Sequence, residues 1–228
     1  MIYPVRIPKL AKWLIPGYTW MGPAADNAVY PSFDDGPNPE ITPFILEQLK
    51  KHRAKATFFC LGKNVDQFPE LYHQILAEGH QVGNHTQHHL NGWKTPVDSY
   101  VRDVREAALR IRSSLFRPPY GKISPGQFRI LSGSKSEREN ESPASRETFQ
   151  VIMWDVLSGD FDPDKTGEKC QENVISHSVP GSIIVFHDSR KAWERMRVAL
   201  PGCLDYFGNK KWPCHALPEG NSRITAEG

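Results

Sequence analysis

The sequence predicts a parallel α/β fold. Short apolar runs alternate with longer stretches of helical period, and Pro, Gly, Asp or Asn marks each switch. Titratable residues gather just after the apolar runs, where open and closed parallel sheets alike carry their functional loops. Consecutive βα units of this kind imply a parallel sheet covered by helices, either doubly wound or rolled into a barrel.

Each element has a local reason. The first 25 residues, with Trp13, Trp20 and several prolines, are expected to form an arm packed on the core, with residues 26–228 as a single domain. The first strand is expected near 28–33; Pro31 removes a donor there, which predicts an irregular or edge-like strand. Thr42 before Pro43 supplies a cap oxygen and then a proline for the first helical turn. The run Ala56-Thr57-Phe58-Phe59-Cys60-Leu61 is the second strand, with Cys60 as small core filling. The third strand falls near 81–85, and Thr95 before Pro96 starts the next helix. A short strand follows at 115–118, then a helix begun by Ser124 and Pro125. Residues 132–146 hold no apolar residue except Ala144 and predict a polar surface insert. The remaining strands fall at 150–156, 182–187 and 213–217.

Composition removes several classes. Among 228 residues, 28 Lys and Arg against 26 Asp and Glu give a formal charge of +2, which excludes a polybasic nucleic-acid binder. With 39% hydrophobic and 24% charged residues the chain has ordinary globular usage. Pro4, Pro8 and Pro16 break the first apolar residues into pieces too short for a secretory signal, and the run 183–186 is far short of the ~20 residues that span a bilayer. No membrane span is expected, and a cytoplasmic location is the default. The four cysteines form no C-x-x-C pair, so neither a disulfide scaffold nor a cysteine zinc site is signalled; Cys203 and Cys214 are the one pair that could bridge.

Five segments at expected strand ends carry chemistry. Asp34 and Asp35, before Gly36-Pro37, are neighbouring carboxylates whose mutual repulsion suits a metal ligand beside a base. His85 and His89, spaced i and i+4, would face one side of a helical turn and hold one metal, completed by Asp34 or Asp35; His88 would point elsewhere. Two His and one carboxylate leave coordination positions open, as in a catalytic site. Arg117, in Phe116-Arg117-Pro118-Pro119-Tyr120-Gly121, can aim a fixed guanidinium at a carboxylate and keep it ionised. Trp154-Asp155-Val156-Leu157-Ser158-Gly159-Asp160-Phe161 and Ile183-Ile184-Val185-Phe186-His187-Asp188 each follow an apolar strand with titratable residues, and His187 reads as a general acid favoured by Asp160.

These five segments, in this order, resemble the five motifs of the polysaccharide deacetylase family, the NodB-homology domain of carbohydrate esterase family 4. The resemblance covers roughly residues 28–190. It implies a distorted (β/α) barrel of about seven parallel strands, TIM-barrel-like, holding one divalent metal, typically zinc. It further implies Asp35, His85 and His89 as metal ligands, Asp34 as base, Arg117 as its partner and His187 as acid tuned by Asp160. The Tyr120 N–H would bind the oxyanion, and Phe161 and Val185 would line the acetyl methyl pocket. Ser32 stands for the usual Thr, Leu157 for an Asp, Phe161 for a Trp and Val185 for a Leu, which alters the pocket's shape.

The implied activity is removal of acetyl groups from N-acetylated sugars of peptidoglycan or chitin type by metal-activated water. The alternatives are a hydrolase of other non-peptide C–N bonds in cyclic or small amides, and a metal-dependent carbohydrate binder without turnover. His187 argues against the second, because an amine leaves only when protonated. The expected partner is an acetylated glycan or oligosaccharide; no oligomeric state is specified. His80 and Asn84 read as hydrogen-bonders behind the ligands, and Trp93, Trp154 and Trp193 as core or sugar platforms.

Overall fold

The structure, a computed structural model, describes residues 3–133 and 148–219. The polar insert expected at 132–146 therefore lies almost wholly outside the described residues. Seven strands form one sheet: β1 (Tyr30–Asp34), β2 (Thr57–Cys60), β3 (Gln81–Asn84), β4 (Leu115–Phe116), β5 (Gln150–Val151), β6 (Val156–Leu157) and β7 (Ile183–His187). Every strand pair is parallel, in the order β5-β4-β3-β2-β1-β7-β6. The helices are α1 (Lys9–Leu14), α2 (Thr42–Lys51), α3 (Gly62–Gln67), α4 (Pro69–Ala77), α5 (Val97–Ala108), α6 (Pro125–Leu131), α7 (Gly167–His177) and α8 (Trp193–Asn209).

The outermost strands, β5 and β6, are consecutive in sequence, so the sheet curls into a distorted barrel. The segment predicted as one strand at 150–156 is divided: its first half pairs with β4 and its second with β7. Each half lacks a strand on its other side, and the amino-terminal residues supply backbone partners there. Thr19 N–H donates to Val151 O and Thr19 O accepts from Met153 N–H, while Leu157 N–H donates to Val5 O and Ile7 N–H to Asp155 O. Asp155, fully buried, fastens this run by ion pairs with Arg6 (3.2 Å) and Lys12. The strand expected at 213–217 is absent; Cys214 makes one isolated bridge to Val29. Seven strands are present because the split and the loss offset one another.

Period-two alternation sorts side chains across the sheet. Phe33, Phe58, Ile184 and Phe186 face the helices in the main core. Tyr30, Phe59, Leu115, Ile152 and Ile183 fill the barrel interior. Phe33 stacks on Phe58 and Phe186 at centroid distances of 5.1 and 5.8 Å, so Phe33→Ala would lose about 3–5 kcal/mol. A third cluster, around Tyr100, Phe116 and Phe149, packs α5 and α6 on β4 and β5.

Several local expectations are corrected. β1 is central, not edge-like. Tyr30 N–H donates toward β7, so the donor missing at Pro31 faces β2, whose ladder with β1 begins one residue later at Ser32. Thr42 does not cap α2: its hydroxyl accepts from Asn38 N–H and donates to Asp188. Thr95 Oγ1 donates to Asn91 O, and Pro96 precedes α5 without a side-chain cap. Ser124 does cap α6, in a reciprocal box with Gln127. Cys203 and Cys214 are both free. No helix among the described residues is long and apolar enough to cross a membrane.

Candidate active site

Parallel strands deliver Asp34, His85, Arg117, Asp160 and His187 to the same end of the barrel, because each lies at or just after the carboxyl end of its strand. Asp34 and His187 are register partners across β1 and β7. Arg117, completely buried, reaches Asp34 from β4: Nη1 donates to Asp34 Oδ1 at 2.7 Å and to Ser32 Oγ at 2.8 Å. Nη2 donates to Met153 O at 3.1 Å, and the guanidinium lies 4.0 Å above the Phe59 ring. Burial lowers the Arg117 pKa from its usual value, and the Asp34 charge and hydrogen bond oppose that shift.

Beside this pair, Asp35, His85 and His89 each bring one ligand atom, all within 4.8 Å of one another. His85 Nδ1 contacts Arg117 O at 2.7 Å. A carbonyl only accepts, so Nδ1 carries the proton and Nε2 is a bare acceptor. Burial pushes the His85 pKa down to about 4, which keeps the ring neutral. Asp35 Oδ1 lies 3.7 Å from His85 Nε2 and 3.2 Å from His89 Nε2, yet forms no hydrogen bond. Burial raises the Asp35 pKa, but the adjacent His89 and the charges of His187 and His85 carry it well below the carboxylate range. An ionised carboxylate facing an imidazole lone pair is repulsive without a cation between them, and the donor set fits a divalent metal.

The expected helical turn at 85–89 is not formed. The residues after β3 are irregular, with Thr86 at φ 72° and His89 at φ 61°. Asn84 sets the loop, accepting from Thr86 N–H at 2.8 Å and donating to Val104 O at 2.9 Å. The two ligands converge through backbone reversal rather than helical spacing. His80 accepts from Ala56 N–H at 3.3 Å, and burial pushes its pKa down to about 4.

On the other side of the mouth, Asp160 is fully buried and holds His187 twice, through its N–H (2.8 Å) and Nδ1 (2.7 Å). Burial acts to lower the His187 pKa, but the Asp160 charge and hydrogen bond outweigh it and raise the ring to about 9. His187 pairs with Asp160, not Asp155, which is engaged with the amino-terminal residues and Ser182. The Phe161 ring stands edge-on to His187 at 5.3 Å and is backed by Tyr3 at 5.0 Å. Val185 is buried two residues before His187 on the same face of β7. Tyr120, at φ 61°, is 60% exposed and sets its ring against His89 at 4.7 Å.

Two features were missed in the sequence. Asp103 on α5 accepts the N–H groups of Gln87 (2.9 Å) and His88 (3.1 Å) and the Nδ1 of His88 (2.6 Å), so it ties down the ligand-bearing loop. Its signal was legible: α5 buries Tyr100, Val101, Val104 and Ala107, and Asp103 is a carboxylate inside that apolar stripe. Asp188 is buried under Gly36, with Thr42 on Oδ2 and nothing on Oδ1; burial raises its pKa to about 8.

The polysaccharide deacetylase family profile matches residues 22–132. A peptidoglycan-N-acetylglucosamine deacetylase of Bacillus cereus is 35% identical over 178 residues, covering 75% of this chain and 60% of that protein, less than two thirds of its length. A second Bacillus cereus protein of the same name is 32% identical over 182 residues, covering 75% and 78%. The crystal structure of a peptidoglycan N-acetylglucosamine deacetylase in complex with 4-naphthalen-1-yl-N-oxidanyl-benzamide superposes with a TM-score of 0.76 at 30% identity, covering 93% and 95% of the two chains. Sequence likeness across most of a relative's length and a shared curled barrel agree: the chain belongs to the polysaccharide deacetylase family.

Proposed function

We propose that the protein is a metal-dependent hydrolase that removes acetyl groups from N-acetylated sugars of peptidoglycan or chitin type. One observation carries this reading: a cation donor set flanked by two fixed pairs, Arg117–Asp34 and Asp160–His187, that suit a base and an acid. Asp35, His85 and His89 would hold a divalent cation, zinc as the family resemblance implies, which when bound would supply Lewis acidity toward water and the acyl oxygen.

The protein's own groups do the rest. Asp34, held in place by Arg117, accepts a proton from the attacking water. His187 has Nδ1 tied to Asp160, which leaves Nε2 to protonate the departing amine. Amide cleavage needs that proton, whereas an ester oxygen leaves without it more readily. The Tyr120 backbone N–H is assigned to the oxyanion, and Phe161 and Val185 to the acetyl methyl group.

Acetate release from N-acetylglucosamine oligomers and acetylated xylan, with zinc-loaded and chelator-treated protein side by side, tests this. The expected result is chelator-sensitive acetate from the amide substrates. Asp34→Asn should retain the cation and lose roughly 10²–10⁴-fold in rate, the range of general-base catalysis; an active Asp34→Asn enzyme overturns the base assignment.

A further inference from the structure

We propose that Trp93 is a stacking platform for a second sugar ring, beyond the one that loses its acetyl group, and that it gives the enzyme its preference for oligomers. The proposal rests on the function above.

Trp93 is 69% exposed but rigidly mounted. Its backbone N–H donates to Asn91 Oδ1 at 3.1 Å, and its indole Nε1 donates to Ile123 O at 3.3 Å. Gln127, completely buried, clamps the turn by donating to Gly92 O (2.9 Å) and Thr95 O (3.0 Å). A Cβ at residue 92 would collide with the Lys122 carbonyl, so the turn sits directly on the following loop. Lys122 Nζ lies 5.1 Å from the Trp93 ring centroid. Leaving this large ring in water forgoes the burial that a core position would give it. A fixed orientation and an open surface together describe a side chain built to be covered by something that comes and goes.

Its position says what covers it. Trp93 follows the ligand His89 by four residues, so their Cα atoms are at most ~14 Å apart. Tyr120, exposed and set against His89, precedes Lys122 by two residues. Tyr120 is thus tied to the ligand His89 by ring contact and Trp93 to Lys122 by its ring, which sets the indole within reach of a sugar adjoining the one at the mouth. A pyranose presents an apolar face of C–H groups rimmed by hydroxyls. The flat indole meets that face, and the Lys122 ammonium offers donors to the rim.

The test compares wild-type protein, Trp93→Phe and Trp93→Ala on N-acetylglucosamine monosaccharide and hexamer, by kinetics and by titration calorimetry with the same sugars. For Trp93→Ala the KM for hexamer should rise about tenfold with kcat unchanged, the monosaccharide should be unaffected, and the calorimetric Kd for hexamer should rise in parallel, about 1.4 kcal/mol. Trp93→Phe should retain most of the hexamer affinity, and thermal melting of all three proteins should agree. Equal losses on monosaccharide and hexamer, or none on either, overturn the platform. Wild-type protein that binds hexamer through Trp93 but releases no acetate supports the platform while overturning the deacetylase reading, so the two failures are distinguishable.

Discussion

Replacing Arg117 with Met keeps an unbranched apolar stem in the buried site but removes the charged guanidinium that lies over Phe59. Asp34, with a side chain only 6% exposed, is then left as an anion without its cation. Breaking a buried pair from one side costs about 3–5 kcal/mol. The Met153 carbonyl and Ser32 hydroxyl also lose their donor, which adds about 1 kcal/mol. The expected loss is therefore about 4–6 kcal/mol, a large part of the ~5–15 kcal/mol that holds a domain together. Asp34→Asn strands the guanidinium instead and should also destabilise, whereas the double variant leaves no unpaired charge. Urea unfolding of all four proteins, with chelator present so that cation binding does not contribute, gives the coupling directly. We expect the double variant to be more stable than the sum of the single losses by about 3 kcal/mol, within the range measured for close charge pairs. Additivity within about 0.5 kcal/mol would refute the reasoning, since two residues sharing one buried hydrogen bond cannot act independently.

Asp35→Asn and His85→Gln should each abolish cation retention, read by elemental analysis after gel filtration, while Asp34→Asn keeps the metal. Because His187 is raised to about 9 from an ordinary value of 6.5, its ion pair contributes stability that is fully present below pH 6.5 and lost as pH rises through about 9. Asp160→Asn should abolish that loss in melting curves taken across this window, and should move the alkaline limb of the rate profile to lower pH; an unmoved limb dissociates His187 from the acid step. Asp103→Asn should weaken cation affinity about 10–100-fold, as loss of a group supporting the ligands does, with a much smaller change in melting temperature. Unchanged affinity would mean the ligand loop holds its shape without that carboxylate.

The fold was legible wherever one strand was flanked on both sides. β1, β2, β3 and β7 lie within a few residues of the predicted runs because each is a short apolar stretch ended by turn chemistry. The division of 150–157 was not legible, since its apolar pattern is continuous and the break follows from which neighbour each half finds. Thr42 looks like a helix cap in sequence but spends its hydroxyl on Asp188, a partner 146 residues away that no local rule sees. In the site, ordered motifs pointed to Asp34, Asp35, His85, His89, Arg117, Asp160 and His187 as neighbours, and the structure gathers all seven. The helical spacing assumed for the two histidines fails because Thr86 and His89 take positive φ, which spacing alone does not encode.

The register of Asp34 with His187 has a consequence for how the protein is made. All three proposed cation ligands lie within the first 89 residues, but His187 arrives with the last strand, which must insert beside β1, 153 positions away in sequence. Such long-range parallel pairing closes slowly, on the order of milliseconds to seconds, because loop entropy is lost before contacts form. During synthesis the half of the barrel bearing the proposed ligands emerges well before the proposed proton donor. On the function proposed above, a nascent chain would hold its ion before it could turn over substrate, and hydrolytic competence would be the final event of folding.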